Sequence, residues 1–154
     1  MKIELKEFCR GDEYDISRLI KTVYDEFVAP DYSDHGNAFF YAWIKPTDIL
    51  KRQKARNTWL AYCDDKIVGV IEIRDDHHIS LLFVDKEYHR QGIARSLFYK
   101  ALKECKERDP ELKEFSVNAS PFSIPIYEKL GFERTKSEIQ EQNGLKFLPM
   151  IMKL

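Results

Sequence analysis

Apolar and polar side chains alternate at the start of the chain, with Ile3 and Leu5 set between Lys2, Glu4 and Lys6 before the run ends at Phe8. A period of two is that of a half-buried strand. From Asp12 the period lengthens: Ile16, Leu19, Ile20, Val23, Tyr24 and Phe27 fall at three- and four-residue spacing, which predicts an amphipathic helix that stops before Pro30. The next stretch is dense in rings, with Tyr32, Phe39, Phe40, Tyr41 and Trp43. Ser33 or Asp34 is placed to cap a second helix there, and Thr47 to cap a third that runs through Ile49 and Leu50 toward Asn57.

After Asn57 the period returns to two. Thr58 to Cys63 and Lys66 to Arg74 flank Asp64-Asp65, a tight-hairpin signal, and Ile79 to Val84 follows a polar turn over 75–78. Three consecutive antiparallel strands are therefore expected. Gly92 to about Arg108 reads as a helix, with Ile93, Leu97, Phe98, Ala101, Leu102 and Cys105 on its apolar stripe and Asp109-Pro110 as its stop. Glu114 to Asn118 is a further strand. Ser123, Pro125 and Gly131 supply the N-cap, the early proline and the terminal glycine of a short helix over Ile124 to Leu130. Phe132 to Lys136 and Leu145 to Leu154 close as a strand pair, joined through a loop that ends in Asn143-Gly144. This order predicts a mixed α+β architecture in layers and not a regular βαβ alternation.

A chain of 154 residues without internal repeats or linker-like tracts is read as one domain over residues 1–154. At that size folding buries roughly 68 to 70% of the unfolded surface, enough for a full hydrophobic core. Lys and Arg number 25 against 26 Asp and Glu, with 44% hydrophobic residues. That balance excludes a disordered chain and gives no general basic footprint for nucleic acid. Apolar runs such as Ile67 to Ile71 and Leu81 to Val84 are four or five residues, too short for a membrane span or a signal-peptide core. Cys9, Cys63 and Cys105 stand far apart and read as reduced thiols, so a cytoplasmic location is expected. Cys105 lies on an apolar helix stripe and reads as packing, not as a nucleophile.

With only six glycines in the chain, one at a strand-to-helix junction carries information, and Gly92 is that glycine. The run from Leu81 to Leu97 leads from an apolar strand through a charged turn into an amphipathic helix. The N-terminus of such a helix presents unpaired N–H groups and about half a positive charge. Small residues at Gly92 and Ala94 let a phosphate approach the backbone, and Arg90 and Arg95 add positive charge. Pyrophosphate suits this cradle. A GxxxxGK[ST] run and a GxGxxG fingerprint are both missing from the sequence, which removes the P-loop and dinucleotide readings.

His89-Arg90-Gln91-Gly92-Ile93-Ala94 resembles the acetyl-coenzyme A loop of the GCN5-related N-acetyltransferase superfamily, written as Arg or Gln, two residues, Gly, one residue, Gly or Ala. His89 departs from the first position of that pattern. Asn118 to Phe132, ending in Tyr127-Glu128-Lys129-Leu130-Gly131-Phe132, is similar to the downstream motif of the same superfamily. Together the two motifs and the preceding strands cover roughly residues 58 to 133. The resemblance implies a central, mostly antiparallel twisted sheet flanked by helices, and acetyl-coenzyme A as co-substrate; no pair of histidines or cysteines has metal-ligand spacing, so no metal is expected. It implies that amides of Gln91, Gly92, Ile93, Ala94 and Arg95 hold the pyrophosphate and that the backbone of Phe83 and Val84 pairs with the pantetheine arm. Asn118 becomes a coenzyme contact, and Tyr127 the acid that protonates the departing thiolate, chemistry open to a phenol of pKa near 10.

The attacking amine must lose a proton, and Glu72 is the candidate base. Plainer readings stand beside these. Gly92 and Ala94 alone read as small residues at a helix start, Tyr127 as a packed ring with a polar tip, Arg90 and Arg95 as solvated surface, and Glu72 as an exposed strand residue. His77 and His78 read as solvated turn residues. Core packing is the default for the rings between Tyr32 and Trp43, some of which border the acceptor site by resemblance. The expected activity is direct acetyl transfer to a primary amine of a small molecule or peptide, in a monomer or homodimer without nucleic-acid or membrane partners. The alternative is a non-catalytic acyl-coenzyme A binding or sensing module.

Overall fold

In the computed structural model, which describes residues 2–154, the alternating start of the chain is strand β1 (Ile3–Glu7) and the first long-period stretch is helix α1 (Glu13–Phe27). The predicted stripe is the buried one: Ile16, Leu19, Ile20, Val23 and Tyr24 all face inward. Helix α2 (Asp34–Trp43) is capped by Ser33, whose hydroxyl accepts the Gly36 N–H at 3.1 Å. Helix α3 (Pro46–Arg52) differs from expectation at both ends. Lys45 is the residue at its cap and Pro46 opens it, where a missing N–H costs nothing. It ends in a short 3₁₀ turn over Gln53–Ala55, because strand β2 (Arg56–Cys63) starts two residues earlier than its sequence pattern suggested.

Strands β2, β3 (Lys66–Arg74) and β4 (His78–Val84) form the expected meander. Helix α4 (Ile93–Arg108), strand β5 (Glu114–Ala119) and helix α5 (Ile124–Leu130) follow. The C-terminal part holds one strand more than was expected. Beyond β6 (Glu133–Arg134), residues Gln140–Gln142 form β7, which pairs with β8 (Leu145–Lys153) across a turn at Asn143 and Gly144, both of positive φ. The polar trio Gln140, Glu141 and Gln142 has no apolar alternation to announce it.

The sheet runs in the order β1, β2, β3, β4, β5, β8, β6, with β7 attached to β8. Every neighbouring pair is antiparallel except β4 and β5. Its two faces carry separate cores. Ile16, Leu19, Ile20 and Val23 of α1 and Ile49 of α3 pack with Leu60, Val70 and Leu81 on one face. Ile93, Leu97, Phe98, Ala101 and Cys105 of α4 pack with Ile71, Ile73, Phe115 and Leu148 on the other, joined by Tyr127 and Leu130 of α5. Cys105 is fully buried there and burial pushes its thiol up to about 11, in keeping with an inert packing role. Helix α4 comes close to β3 at Gly69, where a Cβ would lie 3.0 Å from Leu97 and 3.1 Å from Ile93. The contact brings the start of α4 beside the end of β4.

β4 and β5 touch along a very short length, His78 opposite Ser116 and Ile79 opposite Val117. His78 is thus a strand residue at this junction and not a solvated turn residue, with its ring Nδ1 2.7 Å from the Ser116 hydroxyl. His77 does occupy the turn, its Nδ1 2.7 Å from the Asp75 carbonyl oxygen. Burial, with Arg74 and His77 as like charges, lowers the His78 pKa from 6.5 to about 4. Between those values the unfolded chain binds a proton that the folded one refuses, so the stability held above pH 6.5 is lost as pH falls toward 4. Urea unfolding from pH 7 to pH 4 should show that loss, and His78→Asn should flatten the slope over that interval.

Candidate active site

Two register facts open the site. β4 stays paired to β3 as far as Val84 opposite Gly69, and β5 stays paired to β8 as far as Ala119 opposite Leu148. Their mutual pairing ends at Ile79 and Val117, so from Ser80 and Asn118 onward the two strand edges diverge and face a cleft. Backbone donors and acceptors along Ser80 to Val84 on that side have no strand partner, and such groups are obligatory hydrogen-bonding sites. A register shift between Glu72 and Ile73 inserts Ser80 as a bulge where the divergence begins. The cleft has a volume of about 980 Å³.

At its coenzyme-like end lies the start of α4. Arg90 has φ 63 and Gly92, the N-cap, φ 78, so the loop turns through two left-handed residues before the helix begins. The first helical bond is Ser96 N–H to the Gly92 carbonyl at 2.9 Å. The amides of Ile93, Ala94 and Arg95 precede it and lack intrahelical acceptors, a backbone nest with the positive end of a sixteen-residue helix behind it. A Cβ on Gly92 would meet no protein atom within 4 Å, so its glycine is required by the positive φ. Acidic side chains are missing from the first turn of α4.

His89 sits between loop and strand. Its Nε2 is 2.7 Å from the Val84 carbonyl oxygen and its ring lies 5.4 Å from that of Phe27. With that nitrogen as the N–H, the side chain ties the end of β4 to the loop that follows it.

Phe83, Val84, His89, Arg90, Gly92, Ile93, Ala94, Arg95, Asn118 and Tyr127 all line the cleft. Gln91 does not, and its side-chain amide donates to the Glu87 carbonyl at 3.3 Å. Tyr127 is nearly buried, its ring edge-on to Phe132 at 5.5 Å, and burial raises its pKa. A phenol so placed stays protonated throughout the neutral range.

A profile of the acetyltransferase (GNAT) domain matches residues 28–154. The uncharacterized N-acetyltransferase YafP of Escherichia coli (strain K12) is 31% identical over 114 residues, which cover 73% of this chain and 71% of that protein. The chain belongs to the GNAT acetyltransferases. Among solved structures, a GCN5-related N-acetyltransferase of Rhodopseudomonas palustris superposes with a TM-score of 0.86 at 20% identity, over 100% of this chain and 97% of the other. The PaiA N-acetyltransferase of Thermoplasma acidophilum, solved in complex with coenzyme A, superposes with a TM-score of 0.77 at 19% identity over the whole of both chains. The activity is that of an acetyl-coenzyme A-dependent N-acetyltransferase.

In this GNAT chain Glu72 is neither an exposed strand residue nor part of the cleft lining. β3 is covered on both faces from Ile67 to Ile73, and Glu72 is 1% exposed. Its carboxylate lies 3.6 Å from Arg52 Nε and accepts from Gln53 Nε2 at 3.3 Å. Burial pushes the carboxyl up and the Arg52 guanidinium down, each drawn back by the other's charge. Arg52 in turn lies 3.7 Å over the Trp43 ring and donates to the Trp43 carbonyl at 2.6 Å, and Trp43 does line the cleft. Glu72 is therefore placed to hold Trp43 through Arg52, and it has no access to an amine in the cleft.

Two features of the lining were beyond sequence reasoning. Ser80 turns a buried hydroxyl without a hydrogen-bond partner among the described residues into the lined region, and only the bulge puts it there. Gln142, Asn143 and Lys146 of the β7–β8 hairpin also line it, for which the Asn143-Gly144 turn was the single available signal.

Removing a partner from a buried ion pair costs about 3–5 kcal/mol, so Glu72→Ala should lose stability of that order in urea unfolding. Glu72→Gln should keep kcat at saturating amine within a few-fold of the parent, with an unchanged pH profile. A loss of 10²-fold in kcat together with loss of the acidic limb of that profile would restore Glu72 as the base.

Proposed function

We propose that this cleft carries out direct transfer of the acetyl group from acetyl-coenzyme A to a primary amine, without a covalent enzyme intermediate. The observation that carries the reading is the divergence of β4 from β5 directly beside the free amides that open α4. The amides of Gln91 to Arg95 receive the pyrophosphate, assisted by the exposed cations Arg90 and Arg95. Phe83 and Val84 lie at the end of the β4 edge that faces the cleft, which receives the pantetheine arm as a sheet edge receives an added strand, the Val84 carbonyl being already bonded to His89. Asn118, across the opening, offers a side-chain amide to the same arm. Backbone N–H groups near Val84 are aimed at the oxygen where negative charge develops in acyl transfer.

The amine nitrogen bonds to the thioester carbon, the carbon–sulfur bond breaks, and the sulfur takes the Tyr127 hydroxyl proton. The proton shed by the amine passes to water and water restores the phenol. Supporting the role of Tyr127 are its place in the lining and the burial that keeps the phenol protonated at neutral pH, so that a proton is present for the departing sulfur. The balanced charge, the three free cysteines and the lack of any helix long and apolar enough to cross a membrane among the described residues accord with action in the cytoplasm as a single-domain enzyme.

Tyr127→Phe keeps the ring against Phe132 and removes only the proton. Coenzyme affinity by calorimetry should be unchanged while kcat falls by about 10²-fold or more; equal turnover would remove Tyr127 from the acid role. Replacing Gly92 by Val should weaken acetyl-coenzyme A binding at least several-fold, since a β-branched residue is strained at φ 78.

A further inference from the structure

We infer that the acceptor is a small primary amine carried on an aromatic body with one positive charge, and not a polycation such as a polyamine or aminoglycoside. The inference rests on the acetyltransferase reading above. The cleft is walled by rings of α1, α2 and β4: Tyr24, Phe27, Phe39, Phe40, Trp43 and Phe83. Phe40 is the centre of this wall, stacked on Tyr24 at 3.9 Å and 7° and lying 6.3 Å from Trp43 and 6.2 Å from Phe83. Such a surface offers an aromatic guest offset or edge-on contacts.

The charges of the lining have one sign. Arg90, Arg95, Lys129 and Lys146 border the cleft, and among the described residues no aspartate or glutamate does. On α1, Asp25 is engaged by Lys21 and the Tyr41 hydroxyl and Glu26 by Lys86, while Asp31, Glu128 and Glu141, each next in sequence to a lining residue, stand outside the lining. The wall's phenols add no anion either. Tyr24 donates to Asn37 Oδ1 at 2.8 Å and Tyr32 to the Lys146 carbonyl, and burial raises both pKa values, that of Tyr32 to about 12. A polycation would bring several charges into a ring-lined space whose lining offers no carboxylate to pair them, and an unpaired charge taken out of water is costly. A single amine at the end of an apolar body leaves the rings to the body and one nitrogen to the thioester.

The shape of this space is fixed by a backbone contact. The first turn of α2 meets the β7–β8 turn so closely that a Cβ on Gly36 would lie 2.1 Å from the Gly144 carbonyl oxygen. With the Tyr32 to Lys146 bond, this contact ties the β7–β8 hairpin to α2 beside the ring wall.

The experiment measures coenzyme A thiol release with 2-phenylethylamine, tryptamine, spermidine, kanamycin and a lysine-containing peptide, beside calorimetric binding of acetyl-coenzyme A. The expected result is a kcat/KM for an aromatic amine above those of spermidine, kanamycin and peptide by about tenfold or more, the scale on which apolar pockets discriminate. Phe39 is 44% exposed and tolerates change. Phe39→Ala should raise KM for the aromatic amine with coenzyme affinity unchanged, and Phe39→Glu should raise kcat/KM for spermidine by supplying the missing carboxylate. Equal or faster turnover of spermidine, kanamycin or peptide by the parent enzyme overturns the inference and leaves the acetyltransferase reading standing. Tight coenzyme binding without turnover of either aromatic amine also overturns it. Failure to bind acetyl-coenzyme A overturns the functional reading and this inference with it.

Discussion

The separation of β4 from β5 after a contact of two residue pairs is the constraint on which the rest of this molecule depends. A sheet interrupted in its middle leaves backbone groups unpaired, which folding ordinarily avoids. Here the two halves are each held by their outer neighbours, β4 by β3 through Val84 and β5 by β8 through Ala119. The bulge at Ser80 turns β4 away where its contact with β5 ends. The gap persists because the packing on either side of it, and not the ladder across it, holds the strands. α1 and α3 cover one face and α4 and α5 the other, so the interrupted sheet lies between two cores that would lose buried apolar surface if the strands closed together.

The same arrangement puts three kinds of group around one opening. Gly69 lets α4 approach β3 closely, which brings the unpaired amides of its first turn next to the end of β4. α5 follows β5 after a short turn and carries Tyr127 back into the lining. His89 bonds to the Val84 carbonyl and fixes the loop to the strand it follows. That contact gives a physical role to a position where the family pattern has Arg or Gln: a shorter ring that reaches its own strand end in place of a long, mobile side chain.

Most of this fold was legible in periodicity. The long-period stripe from Ile16 to Phe27 and the stripe from Ile93 to Cys105 are the faces that α1 and α4 bury, because each packs on the sheet along one side only. The loop from His89 to Ala94 and the helix ending at Gly131 were legible for a different reason, since left-handed residues and helix ends draw on few residue types. Glu72 was misread because alternation in a strand presumes one wet face, and β3 has none. β7 was missed because its pairing is imposed by the Asn143-Gly144 turn and not by any apolar face of its own. Ser80 was missed because a bulge is a relation between two strands, which no single stretch of sequence displays.

The absence of carboxylates from the cleft lining bears on how an amine becomes a nucleophile there. An ammonium entering a ring-lined space with Lys129 and Lys146 at its borders and no carboxylate in its lining is disfavoured twice, by desolvation and by like charge. Both effects lower the pKa of the bound amine and raise the fraction that carries a free lone pair. A cleft of this kind needs no strong side-chain base within reach, since water can take the proton before the amine is enclosed. In the proposed reaction, Arg90 and Arg95 at the other end pair with the pyrophosphate and Tyr127 protonates the departing thiolate. One distribution of charge thus serves the coenzyme and the nucleophile, in a chain whose formal net charge is −1.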